Sequence, residues 1–176
     1  PDQSKHELLW HDSIAATERA AAGDIQGVHL AMDRQLSALG LQAQTVGNDR
    51  GKVSTEPDKV LADKGAGGYR KWSGEIVVPE SSTARMKEFG QALGNRKIGV
   101  LINEHTDRMN RLNKEADAIY EKRIGTSNKK KKTELATQES AIRNQSKQAY
   151  SELQRVRNGV NDMHVMMHET LHGFSP

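Results

Sequence analysis

Ile98-Gly-Val-Leu-Ile-Asn-Glu-His-Thr-Asp-Arg-Met-Asn-Arg-Leu-Asn-Lys-Glu-Ala-Asp-Ala-Ile-Tyr-Glu-Lys-Arg123 is the stretch that decides the fold class. Within it Ile98, Ile102, His105, Met109, Leu112, Ala116, Ile119 and Arg123 follow at alternating intervals of four and three residues. That heptad spacing draws one seam along an α-helix and predicts a partner helix lying on it. The partner lies downstream: Leu135, Ile142, Ala149 and Val156 are spaced by seven, with Ser146 and Leu153 at intermediate seam positions. Between the runs stands Gly125-Thr-Ser-Asn-Lys-Lys-Lys-Lys-Thr133, a polar segment that reads as a turn. Two heptad helices joined by a short turn make an antiparallel hairpin, each arm about 25 residues and roughly 40 Å long. His105, Ala116, Ser146 and Ala149 thin the seam, so the hairpin is expected to lean on another surface.

Composition agrees with long, polar, thinly packed helices. Leu, Ile, Val and Phe make up only about 19 % of the 176 residues, a fraction at which disorder becomes plausible. Disorder normally needs a large net charge as well, and the formal net charge is only +3. Charge is uneven: residues 1–80 carry a net −3, while 81–158 carry +8. That basic stretch either meets nucleic acid or an acidic partner, or is a solvated helical surface. The absence of cysteine excludes thiol catalysis, disulfides and cysteine-ligated metals. No apolar run approaches the eighteen or so residues of a membrane span. The chain begins at Pro1 without an initiator Met or a signal peptide, and is read as a piece of a longer protein.

The first forty residues predict two short helices. Ile25, Val28, Met32, Leu36 and Leu39 share one helical face, with Asp24 as N-cap and Gly40 as terminator. The preceding helix, before Gly23, is Ala-rich, with Leu8, Leu9 and Ile14 as its apolar content. Gly47 to Gly68 reads as a poorly packed loop. Tyr69-Arg-Lys-Trp-Ser-Gly-Glu-Ile-Val-Val-Pro79 carries the one strong strand signal, a small hairpin or single strand around Ser73-Gly74. Pro79 cannot donate to a ladder, so this strand ends there or lies at a sheet edge.

The last eighteen residues, Gly159-Val-Asn-Asp-Met-His-Val-Met-Met-His-Glu-Thr-Leu-His-Gly-Phe-Ser-Pro176, hold the sharpest chemical signal. His168, Glu169 and His172 form HExxH on a segment whose Val160, Met163, Met167, Leu171 and Phe174 fall within an arc of about 80°. Asn161 or Asp162 is the expected helix start. Burial of that arc leaves two imidazoles one turn apart, a spacing that offers both nitrogens to one ion, with Glu169 placed as proton acceptor for a water that zinc activates. The bland alternative is a polar helix face that happens to carry two histidines.

Met166-Met-His-Glu-Thr-Leu-His-Gly-Phe174 resembles the active-site helix of zincin metallopeptidases, and Tyr69–Val78 resembles the edge strand that pairs with extended substrate in that family. The resemblance covers about thirty residues. It implies Zn2+ held by His168 and His172, Glu169 as general base and acid, and a peptide or protein substrate. It also implies a third protein ligand, usually downstream, where only Gly173 to Pro176 remain; the metzincin Gly position is Ser175. His164 precedes His168 by one turn, but lies about 12 Å from His172 along the axis and reads as a supporting or surface residue. His105 and His29 read as packed residues. His6-Glu-Leu-Leu-Trp-His11 has its second histidine at i+5, so the two cannot share an ion on one helix.

The expected fold is therefore mainly α with a minor β element: an incomplete α+β zincin-like core carrying a long antiparallel helical hairpin. Residues 1–80 supply the N-terminal helices, loop and edge strand, 81–158 the inserted hairpin, and 159–176 the HExxH helix. The expected function is a zinc-dependent metallopeptidase domain or its N-terminal fragment. The rival is a structural or interaction protein, such as a phage virion or ejection component, in which the 81–158 hairpin packs in an assembly and the HExxH is vestigial. Location is left open for a soluble protein: virion-associated under the structural reading, or secreted as a toxin or effector with a zincin domain. Lys129–Lys132 offer a weaker nucleic-acid contact, with no aromatic residue interleaved to stack bases. Gly65-Ala-Gly-Gly68 lacks the Lys-Ser/Thr of a phosphate loop.

Overall fold

A computed structural model describes Trp10 and residues 14–44, 47–64 and 67–174. Among them are six helices and one three-stranded sheet, in the order α1 (Ile14–Ala21), α2 (Ile25–Ala38), β1 (Val53–Glu56), α3 (Asp58–Asp63), β2 (Tyr69–Arg70), β3 (Ile76–Pro79), α4 (Glu80–Leu93), α5 (Ile98–Ile124) and α6 (Lys129–Leu171). The protein is mainly helical with a minor β element. No described helix is long and apolar enough to cross a membrane. Leu8, Leu9, His6, His11 and Gly65 lie outside the described residues.

The chain divides into two compact units, one made of residues 98–155 and the other of the segments on either side. The first is the heptad hairpin. Its cross-arm contacts run antiparallel: Arg123 pairs with Glu139 at 3.2 Å, Asp117 with Arg143 at 3.2 Å, Ser146 Oγ donates to Asn113 Oδ1 at 2.6 Å, and Arg108 pairs with Glu152 at 3.2 Å. Leu112, Ala116, Leu135, Ser146, Ala149 and Leu153 are buried. The turn is shorter than expected. Lys129–Lys132 belong to the start of α6, where Asn128 Oδ1 accepts from the Lys131 amide at 3.2 Å.

In the other unit α2 begins as read: the Asp24 carboxylate accepts from Gly27 N at 2.9 Å, and Val28, Met32 and Leu36 are fully buried. The hairpin expected over 81–158 includes α4, but α4 packs on α1 instead. Two glycines permit close packing here. A Cβ on Gly90 would come within 2.5 Å of Ala21 N, and one on Gly159 within 2.8 Å of Phe89 Cγ. Gly94, at φ +54°, then ends α4 before α5 starts.

The sheet order is β1-β3-β2, with β1 parallel and β2 antiparallel to β3. Two expectations need correction. Residues 47–68 are not merely a loop: Val53–Glu56 pairs with Ile76–Pro79, and α3 follows at once. Ile76–Pro79 is not an edge strand: it is central and buried along its length, as an uninterrupted apolar run predicts. The edges are Val53–Glu56 and Tyr69–Arg70, of which Tyr69–Arg70 lies nearer the HExxH turn, and Pro79 does end its strand. Beyond it, the Asp58 carboxylate accepts from the Ser81 amide at 3.1 Å and from the Ser81 hydroxyl, capping α4 from a neighbouring element.

Lys129–Leu171 is one 43-residue helix, so no new helix starts near residue 160. Asp162 is no cap. It takes a two-pronged grip from Arg85, at 2.6 and 2.9 Å, and a hydrogen bond from Ser82 Oγ at 3.2 Å. Farther along, the Thr170 hydroxyl donates to Met166 O at 2.7 Å, so its oxygen is left to accept from His29 Nδ1 at 2.9 Å. His29 is wholly buried, and its Nε2 finds no partner among the described residues. Burial, with Arg70 and Arg50 nearby, lowers its pKa to about 4.

The unfolded state therefore binds a proton at His29 at a higher pH than the folded state does. The contribution is complete above the unfolded value of 6.5 and is lost as pH falls through about 4. In metal-free protein, urea unfolding is expected to show a loss of about 3 kcal/mol over that window. His29→Asn, which keeps a donor toward Thr170 and cannot be protonated, is expected to remove most of that dependence.

Candidate metal centre

Burial of Met163, Met166, Met167, Thr170 and Leu171 fixes the rotation of α6. At 100° per residue that rotation turns positions 168 and 172 to the opposite side. His168 is half-buried and His172 exposed. Their rings meet edge to face, centroids 4.6 Å apart, with Nε2 atoms separated by 3.0 Å. Two imidazole nitrogens around a tetrahedral ion at about 2.0–2.1 Å lie about 3.3 Å apart. The pair therefore needs to open by only a few tenths of an ångström to share an ion.

Glu169 completes the cluster. It is 9 % exposed, and ligand atoms of all three residues lie within 4.8 Å of one another. Burial pushes its carboxyl above the ordinary glutamate range, against the opposing pull of His172, His168 and Arg70. A carboxylate shifted in that direction is a better proton acceptor near neutrality. Among the described residues no further histidine, aspartate or glutamate joins the three.

The edge strand runs beside this helix face. One groove, about 440 Å3, is lined by Tyr69, Arg70, Lys71, Trp72, Glu169 and His172. A second, about 350 Å3, is lined by Gly67, Gly68, His164, Val165, His168 and Glu169. Glu169 is common to both, and residues 67–72 border the pair. A Cβ on Gly68 would lie 3.1 Å from Val165 Cγ1 and 3.2 Å from Val77 O, which holds this strand entry close to the helix.

Sequence reasoning missed the residues that hold the centre in place. Arg70 Nε donates to Glu169 O at 3.1 Å and Nη1 to Gly74 O at 2.8 Å, tying the strand hairpin to the HExxH turn. Gly173 O, just past the helix, accepts from Gln44 N at 2.9 Å and Arg50 Nη1 at 2.8 Å. Arg50 also pairs with Asp33 at 3.1 Å and lies over the Phe174 ring at 4.8 Å. These partners are distant along the chain, and no local spacing reports them. Of the other histidines, His164 stands edge-on to Trp10 at 5.5 Å, and His105 lies 3.6 Å from Glu152 in the hairpin.

Comparison with protein-family models, with characterised proteins and with solved structures finds no match to this chain.

Arg70→Met removes both carbonyl partners at once and is expected to cost about 2–3 kcal/mol in urea unfolding. Arg70→Lys recovers only part of that loss, because one ammonium cannot span two carbonyls as the guanidinium fork does.

Proposed function

We propose that this chain is a zincin-like zinc metallopeptidase domain, with His168 and His172 holding Zn2+ and Glu169 moving the protons of peptide hydrolysis. The observation that carries the reading is the 3.0 Å separation of the two Nε2 atoms, beside a buried carboxylate and a half-buried edge strand. Neutral imidazole pairs at this spacing suit zinc, which supplies Lewis-acid polarisation of the scissile carbonyl and a lowered pKa for water. Glu169 takes the proton of the attacking water and returns it to the leaving amine nitrogen. Its raised pKa favours both halves of that exchange. The grooves on either side of Glu169 border residues 67–72, where an extended peptide substrate would lie. Arg70, by gripping Glu169 O, keeps the base in register with that edge.

A second reading is favoured by the hairpin: Val100 and Tyr150 expose large side chains on arms whose seam is interrupted by the Ser146–Asn113 hydrogen bond. Arms of that kind suit packing in a larger protein assembly, with the HExxH cluster vestigial.

One assay separates the readings. With zinc added, the chain is expected to cleave an unfolded protein substrate, and Glu169→Gln to be slower by about 10²- to 10⁴-fold while binding zinc normally. Cleavage absent from the parent chain, or undiminished in Glu169→Gln, overturns the peptidase reading and leaves the assembly one.

A further inference from the structure

We propose that the tip of the helical hairpin docks on an anionic phospholipid surface, through Lys129–Lys132 at the start of α6 and through Tyr120 and Ile124 at the end of α5. The proposal is independent of the metal centre.

The four lysines at the tip, Lys129–Lys132, are all exposed and are not ion-paired among the described residues. Arg123, between Tyr120 and Ile124, is matched with Glu139, and farther along the arms Arg108 and Arg143 are matched with Glu152 and Asp117. Local helix energetics do not account for the four lysines either. The first turn of α6 holds no acidic residue, and cations there face the positive end of the helix dipole, so each disfavours the helix it starts. Lys122, also exposed, adds to the same end of the hairpin.

The end of the other arm carries an exposed apolar pair. Tyr120 and Ile124 lie one turn apart on α5, 40 % and 54 % exposed, with the Arg123 guanidinium 5.1 Å over the Tyr120 ring. This pair decides between polyanions. A duplex backbone neutralises lysines but leaves an aliphatic side chain in water. The headgroup–acyl boundary of an anionic bilayer accepts both, with long lysine stems reaching lipid phosphates while Ile124 and the Tyr120 ring enter the interface. Each lysine near such a surface strengthens binding about fivefold, so four give a several-hundredfold preference over a neutral one.

The test is co-sedimentation of the full chain with vesicles of mixed phosphatidylserine and phosphatidylcholine, against pure phosphatidylcholine. Binding to the mixed vesicles alone is expected. It should weaken roughly several-hundredfold when Lys129–Lys132 all become Gln, and by roughly fivefold or more in Ile124→Asn. Circular dichroism checks that both variants keep the parent helix content. Three results overturn the proposal: no binding to the mixed vesicles, binding indifferent to the lysine replacement, or binding indifferent to Ile124→Asn. A short DNA duplex retained through the lysines, without vesicle binding, would make the tip a phosphate-backbone contact instead.

Discussion

The rotation of α6 over its last two and a half turns is the constraint on which the candidate site depends. Met163, Met166, Met167, Thr170 and Leu171 are buried together, and a helix offers only one orientation that achieves this. Once they are inside, His168 and His172 must project from the other side, one turn apart, with Glu169 between the two grooves. A face built mainly of methionine is adaptable in shape, which makes it a poor device for fixing an angle to within a few degrees. Polar grips supply that precision.

Three such grips act along the same segment. Arg85 takes Asp162 in a two-pronged ion pair, His29 takes the Thr170 hydroxyl from inside the core, and Arg70 takes the Glu169 carbonyl from the sheet edge. Just beyond the helix, Gln44 and Arg50 hold the Gly173 carbonyl. Each comes from a different element, so helix, sheet edge and exit chain are referenced to one another. His29 bears a cost for its place: its second nitrogen is buried without a partner among the described residues, and its protonated form is strongly disfavoured. Selection for stability alone would favour an apolar residue there, so the Thr170 contact is better understood as a positional device.

What the sequence made legible follows from the range of the physics involved. The hairpin seam was readable because its period is local and survives Ser146 and Ala149 as gaps. The His168–His172 pair was readable for the same reason, since i,i+4 spacing on an amphipathic helix is a property of a few consecutive residues. The start of the hairpin was misjudged at 81 because α4 is helical too; what separates it is Gly94 and the docking of Phe89 and Gly90 onto α1, a tertiary event. Asn161-Asp162 resembled a helix start only while Arg85 was unseen. β1 escaped because Val53-Ser-Thr-Glu56 is short and polar, and it becomes a strand by pairing with Ile76–Pro79, an apolar run that can support two neighbours. Arg70, Arg50, Gln44 and His29 act across long stretches of chain, where single-sequence spacing carries no information.

The central claim, that the end of α6 is a zinc site, is tested most directly by anomalous diffraction from crystals of the chain grown with zinc, recorded on either side of the zinc absorption edge. The account predicts one strong peak within about 2.0–2.1 Å of both His168 Nε2 and His172 Nε2. A map with no peak between these imidazoles, or with zinc held only by other residues, would contradict it.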